Sequence, residues 1–114
     1  MTPRRLELAH HWGQHPLWDP DAGLDVDPAQ LDLPPSVVER LEAWAARWDT
    51  TFDLEDPDHP KVEGFVITEL GRDGARLWRA LLGLLPPQEW TVAYVHDDVI
   101  YRTVDELPVD WRVG

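Results

Sequence analysis

The hydrophobic period of this chain changes twice, and that constrains its fold more than any other feature. Between residues 4 and 12 the period is two. Leu6, Leu8, His10 and Trp12 alternate with Arg5, Glu7, Ala9 and His11. This is the pattern of a strand with one buried face, and Gly13 and Pro16 end it. From Pro35 the period becomes helical. Val37, Leu41, Trp44, Trp48 and Phe52 fall on one face, with Glu39, Arg40, Glu42 and Arg47 on the other. Pro34-Pro35-Ser36 supplies the helix start, and the pattern runs to about Asp49. A second stripe, Leu70, Gly74, Leu77, Trp78, Leu81, Leu82 and Leu85, predicts a helix from near Thr68, an N-cap residue type, to the Pro86-Pro87 stop. Gly74 on that stripe suits a close helix contact.

Period two then returns. Thr91–Val95 and Val99–Val104 flank His96-Asp97-Asp98. With Asp97-Asp98 as a two-residue turn, Tyr94 faces Tyr101 and Val95 faces Ile100. Trp111 is expected to pin the tail. The predicted order is β-α-α-β-β: one α+β domain over 1–114, with two helices on one face of a three-stranded, mainly antiparallel sheet.

Two acid-rich segments separate these elements. Residues 16–35 hold five Pro and five Asp, with Leu17, Trp18, Leu24, Val26, Leu31 and Leu33 interspersed. They read as a long loop held down by apolar anchors. Thr50 to Glu63 reads as a second loop, carrying Asp53, Glu55, Asp56, Asp58 and Glu63 against a single base, Lys61.

Charge narrows the partners. Twenty-two acids face ten bases in 114 residues, a net charge of −12. Such a surface repels nucleic acids and anionic membranes and steers cationic partners toward it. With no cysteine, disulfides, thiolate metal sites and a Cys nucleophile are excluded. The N-terminal stretch lacks the apolar run of a secretory signal, and a cytoplasmic location is expected.

The candidate sites reduce in number when weighed. HHWGQHPLWD, residues 10–19, concentrates three of five histidines. A metal reading would use His10, His11, His15 and Asp19. A strand places His10 and His11 on opposite faces, and Gly13 with Pro16 denies His11 and His15 a shared helical face. His10 is then expected as a half-buried, hydrogen-bonded residue. Asp19 and Asp21 open like a calcium loop, but the fifth, sixth and twelfth positions are Gly23, Leu24 and Gln30, where an EF-hand needs an acid, Gly and Glu. Asp97-Asp98 could be paired catalytic carboxylates, but a turn explains them, because Asp tolerates turn geometry. Trp44 and Trp48 read as core. The only serine, Ser36, opens a helix. No metal, cofactor or catalytic residue is expected, and the chain does not read as an enzyme.

The chain resembles small acidic proteins of high-GC bacteria in four segments: Arg5–Trp12, the HPLW of His15–Trp18, the LEAWA of Leu41–Ala45, and Thr91–Val95. That resemblance is one of structural pattern and carries no functional residue over. Size and charge point to an inhibitor of the immunity-protein or antitoxin type, which neutralises a basic partner such as a nuclease-like toxin. The contact would be made by Asp19, Asp21, Asp25, Asp27, Asp53, Glu55, Asp56 and Asp58, with Trp18 as an aromatic anchor. The chain would work as a monomer or in a heterocomplex, binding neither nucleic acid nor membrane directly. A nucleic-acid mimic, an accessory subunit and a small metal-binding protein are the alternatives.

Overall fold

The computed structural model describes residues 2–11, 14–53, 56–60 and 64–112, with the side chains of 52–60, 64 and 65 excepted. In it the chain is α+β, but the sheet has five strands rather than three and is mixed rather than mainly antiparallel. Strands β1 (Arg4–Leu8), β2 (Leu17–Asp19) and β3 (Leu24–Val26) come first, then helix α1 (Pro35–Asp49). A short pair, β4 (Phe52–Asp53) and β5 (Asp56–Pro60), follows, then helix α2 (Gly64–Leu84), β6 (Trp90–His96) and β7 (Val99–Tyr101). The main sheet runs β3-β2-β1-β6-β7, and β4 pairs only with β5.

The expected order failed first in the Pro/Asp segment, where the predicted loop holds β2 and β3. Here the turn chemistry overrides the proline content. Asp19 accepts hydrogen bonds from the backbone N–H groups of Asp21 and Ala22 at 2.9 and 3.0 Å, and the Gly23 N–H reaches the Asp19 carbonyl. Gly23 then takes a φ of 70°, which lets the chain reverse into β3. Leu17, at the base of β2, is fully buried. Because β2 turns back onto β1 with Leu17 opposite Leu8, β1 ends at Leu8, short of Trp12. Trp12 itself lies outside the described residues.

The second correction is the pairing of β1 with β6. It is parallel over five positions, from Arg4↔Trp90 to Leu8↔Tyr94. A parallel pair needs a crossover, which the α1-to-α2 segment provides. Leu6, Leu8, Val92 and Tyr94 share the buried face and pack with Leu41 and Trp44 of α1 and Leu70, Trp78 and Leu81 of α2. Arg5, Glu7, Thr91 and Ala93 point the other way, and among the described residues no helix packs on that face. Asp97 and Asp98 both have positive φ, 52° and 63°, as a two-residue turn between right-twisted strands requires. Tyr94 duly faces Tyr101, and Val95 faces Ile100.

The helices meet closely where the second stripe carries Gly74. A Cβ there would come within 2.7 Å of the Trp44 ring and would collide with the Tyr94 hydroxyl. α2 begins at Gly64, a turn before Thr68, because nothing in residues 64–67 breaks a helix and Val66 packs against the core. Three buried polar edges are satisfied at the layer contact. The indole N–H of Trp44 donates to the Leu70 carbonyl at 2.8 Å, that of Trp78 to Val92 at 3.0 Å, and the Tyr94 hydroxyl to Gly71 at 2.6 Å. Among the described residues no helix is long and apolar enough to cross a membrane.

Candidate functional site

The residues of HHWGQHPLWD separate in space. His10 continues the line of β1 and lies against the last turn of α1. Its Nε2 is 2.8 Å from the Asp49 carboxylate, its side chain is 12% exposed, and its ring stacks on Trp48 at 5.5 Å and 16°. His11 turns toward Trp18, with ring centroids 4.8 Å apart. His15 reaches α1 at a different point, where its Nδ1 lies 2.8 Å from Glu42. Asp19 caps the β2–β3 turn and lies 3.7 Å from Arg4. The four residues of the metal reading therefore do not converge.

A different trio does. His15, Asp27 and Glu42 each bring a ligand atom to within 4.8 Å of the others. The two acids approach opposite ring nitrogens, Glu42 at Nδ1 and Asp27 at 4.0 Å from Nε2. This is the geometry of a protonated imidazole held between carboxylates. The hydrogen bond with Glu42 raises the His15 pKa above 6.5, partial burial opposes it, and the charges of Glu42, Asp27 and Asp25 add to the rise. The trio ties the segment between β1 and β2, and the turn after β3, to the middle of α1.

The four predicted acidic contacts of the first segment, Asp19, Asp21, Asp25 and Asp27, are engaged within the fold. Asp21 pairs with Arg5 at 3.2 Å. Asp25 accepts the His15 backbone N–H at 2.9 Å, and Asp27 caps the short 3-10 turn Pro28–Gln30 through Ala29. In the second segment, Asp53 sits opposite Asp56 in the β4–β5 pair, Asp58 lies within β5, and Glu55 falls outside the described residues. Trp18 sits opposite Glu7 and Asp25 in the strand register, on the uncovered sheet face, and is partly exposed.

A cleft lies elsewhere, at the carboxyl ends of the parallel strands β1 and β6. These strands diverge into Ala9–His11 and the Asp97-Asp98 turn, while α1 ends beside them and α2 passes at Ile67. The resulting cleft is about 450 Å³. Its walls are His10, Trp44, Trp48, Val95 and His96, with His11, Asp97 and Asp98 toward solvent. Trp48 meets Trp44 edge-on at 6.3 Å and lies 5.8 Å from His96. His96 is further enclosed by Tyr94 at 6.2 Å and Trp111 at 5.3 Å, and a Cβ at Gly71 would come within 2.7 Å of it. Burial lowers the His96 pKa below 6.5, against the smaller opposing pull of Asp97.

His96, Glu42 and the cleft-facing side of Trp48 were not among the sequence candidates. The missed signal is that two strand-like segments both end in histidine, Leu8-Ala9-His10 and Val95-His96. It becomes informative only once β1 and β6 are known to run side by side in the same direction. A model of the Serratia CdiI immunity protein-like family matches residues 4–97, from β1 through the first residue of the turn after β6. No curated protein matches the chain.

Proposed function

The chain belongs to the Serratia CdiI immunity protein-like family, and from that premise we propose that it is an immunity protein that binds one protein toxin and neutralises it. The family match over 4–97 carries this reading. Charge supports it and defines the partner more narrowly. A protein with net charge −12 is drawn to a basic surface, and a toxin that cuts nucleic acid must present one to its substrate. The inhibitor therefore meets a nuclease-like toxin domain, in the cytoplasm, and occupies or covers its basic cleft. Long-range attraction sets the speed of encounter, and buried aromatic contacts set the lifetime of the complex.

The test is to purify the chain with a candidate nuclease-like toxin domain and measure complex formation and toxicity together. A stoichiometric complex, with growth restored in cells producing the toxin, is the expected result. Capture of a metabolic enzyme instead, with toxicity unrelieved, would sink the proposal.

A further inference from the structure

Resting on the immunity reading, we propose that the cleft at the carboxyl ends of β1 and β6 is the anchor pocket for an arginine side chain of the toxin. Three features of the cleft select this occupant. Its walls are flat and aromatic, with the His10 and Trp48 rings stacked at 16° and Trp44 edge-on behind them. A guanidinium is planar, weakly hydrated and favoured over aromatic faces, whereas an ammonium is compact and strongly hydrated. The two carboxylates of Asp97 and Asp98 line the cleft, and among the described residues no lysine or arginine does. Those carboxylates stand on a two-residue turn with both residues in the left-handed region, so their positions are set by the tightest connection β6 and β7 can have. A volume of about 450 Å³ is within the usual range for a small-ligand site and exceeds the needs of one side chain, leaving room for its flanking backbone.

The chemistry excludes other occupants. An anionic group would meet two carboxylates and a net charge of −12. An aliphatic side chain would fill the walls but leave the carboxylates without a counter-charge. Arginine satisfies both, and it is among the residues that most often dominate interfaces when seated in a desolvated aromatic pocket. The toxin that best suits this chain is therefore one whose surface projects an arginine beside its basic cleft.

The probe is N-acetyl-arginine amide, with the uncharged isostere N-acetyl-citrulline amide as control. Binding is followed by NMR at the Trp48 indole N–H and the His96 ring of the intact chain. The expected result is a saturable shift of both signals with the arginine probe and an affinity for citrulline weaker by about threefold or more, the scale of one cation–π contact. The D97N/D98N variant should weaken arginine binding by a similar factor. It keeps the turn, because Asn tolerates the left-handed region as Asp does. No saturable shift, equal binding of the two probes, or unchanged affinity in D97N/D98N would each overturn the pocket assignment. Toxin neutralisation by the unaltered chain is read separately. A chain that neutralises its toxin but ignores the arginine probe loses the pocket and keeps the immunity reading; one that binds the probe and neutralises nothing keeps the pocket chemistry and loses the immunity reading.

Discussion

His15 and His96 respond to pH in opposite senses, for reasons visible at each ring. Glu42 holds the His15 proton, so its folded pKa lies above the unfolded value of 6.5. Its contribution to stability is therefore full below 6.5 and is lost as pH rises through the higher folded value. An NMR titration should place the His15 midpoint above 6.5, and Glu42→Gln should bring it down; a midpoint unmoved by that change would refute the clamp. Burial does the reverse to His96. Its folded pKa is below 6.5, so its contribution is present above 6.5 and lost as pH falls through the lower folded value. His96→Phe should flatten the acid side of the stability profile measured by urea unfolding. At Gly74 the effect is steric. Gly74→Ala drives a methyl into Trp44 and Tyr94 and should cost about 1–3 kcal/mol, as overpacking does elsewhere. A neutral result would mean that the helices separate more easily than their packing implies. The part-buried, hydrogen-bonded state of His10 matches the expectation, although β1 ends at Leu8 and Ala9, expected to point outward, is buried as well. The partners Asp49 and Trp48 were not legible in the sequence, since both come from a helix some forty residues later.

At the scale of elements, local signals worked where one residue pair decides a geometry. Asp97-Asp98 between two period-two runs specified the β6–β7 hairpin and its register. α1 was legible from its prolines and stripe, and it starts at Pro35 and ends at Asp49. β2 and β3 were missed because Pro16, Pro20 and Pro28 dominated a segment whose turn depends on Asp19 and Gly23 instead. The β6–β7 turn yields a further prediction. Asn-Gly is the best-suited pair for this turn type, so replacing Asp97-Asp98, both at positive φ, with Asn-Gly should raise stability. Unfolding midpoints compared with the parent measure this, and a loss of stability would mean that the carboxylates do more within the fold than close a turn. The β4–β5 segment is tested through binding. Neutralising Asp53, Glu55, Asp56 and Asp58 together should weaken toxin affinity if that segment meets the toxin, and unchanged affinity would place the contact elsewhere.

For the whole molecule, what the sequence could not convey was strand order. A period-two run states that a strand has a buried face, but not which strand it lies beside. The parallel β1–β6 pairing is a long-range choice, made by the α1-to-α2 crossover and by the shared core of Leu6, Leu8, Val92 and Tyr94. That choice creates the cleft, which is why the cleft stayed hidden in the sequence. The acids counted along the chain are, in space, partly spent on capping turns and pairing with Arg4, Arg5 and His15. Those remaining still give the molecule a field that should make toxin association faster at low salt. The screening length falls from about 30 Å at 0.01 M to about 8 Å at 0.15 M. A stopped-flow association rate for the purified chain and a candidate nuclease-like toxin domain, read together with growth rescue across that salt range, tests the central claim most directly. A stoichiometric, growth-restoring complex whose association slows steeply with salt is the predicted result. A toxin that stays active beside saturating amounts of the chain would contradict it.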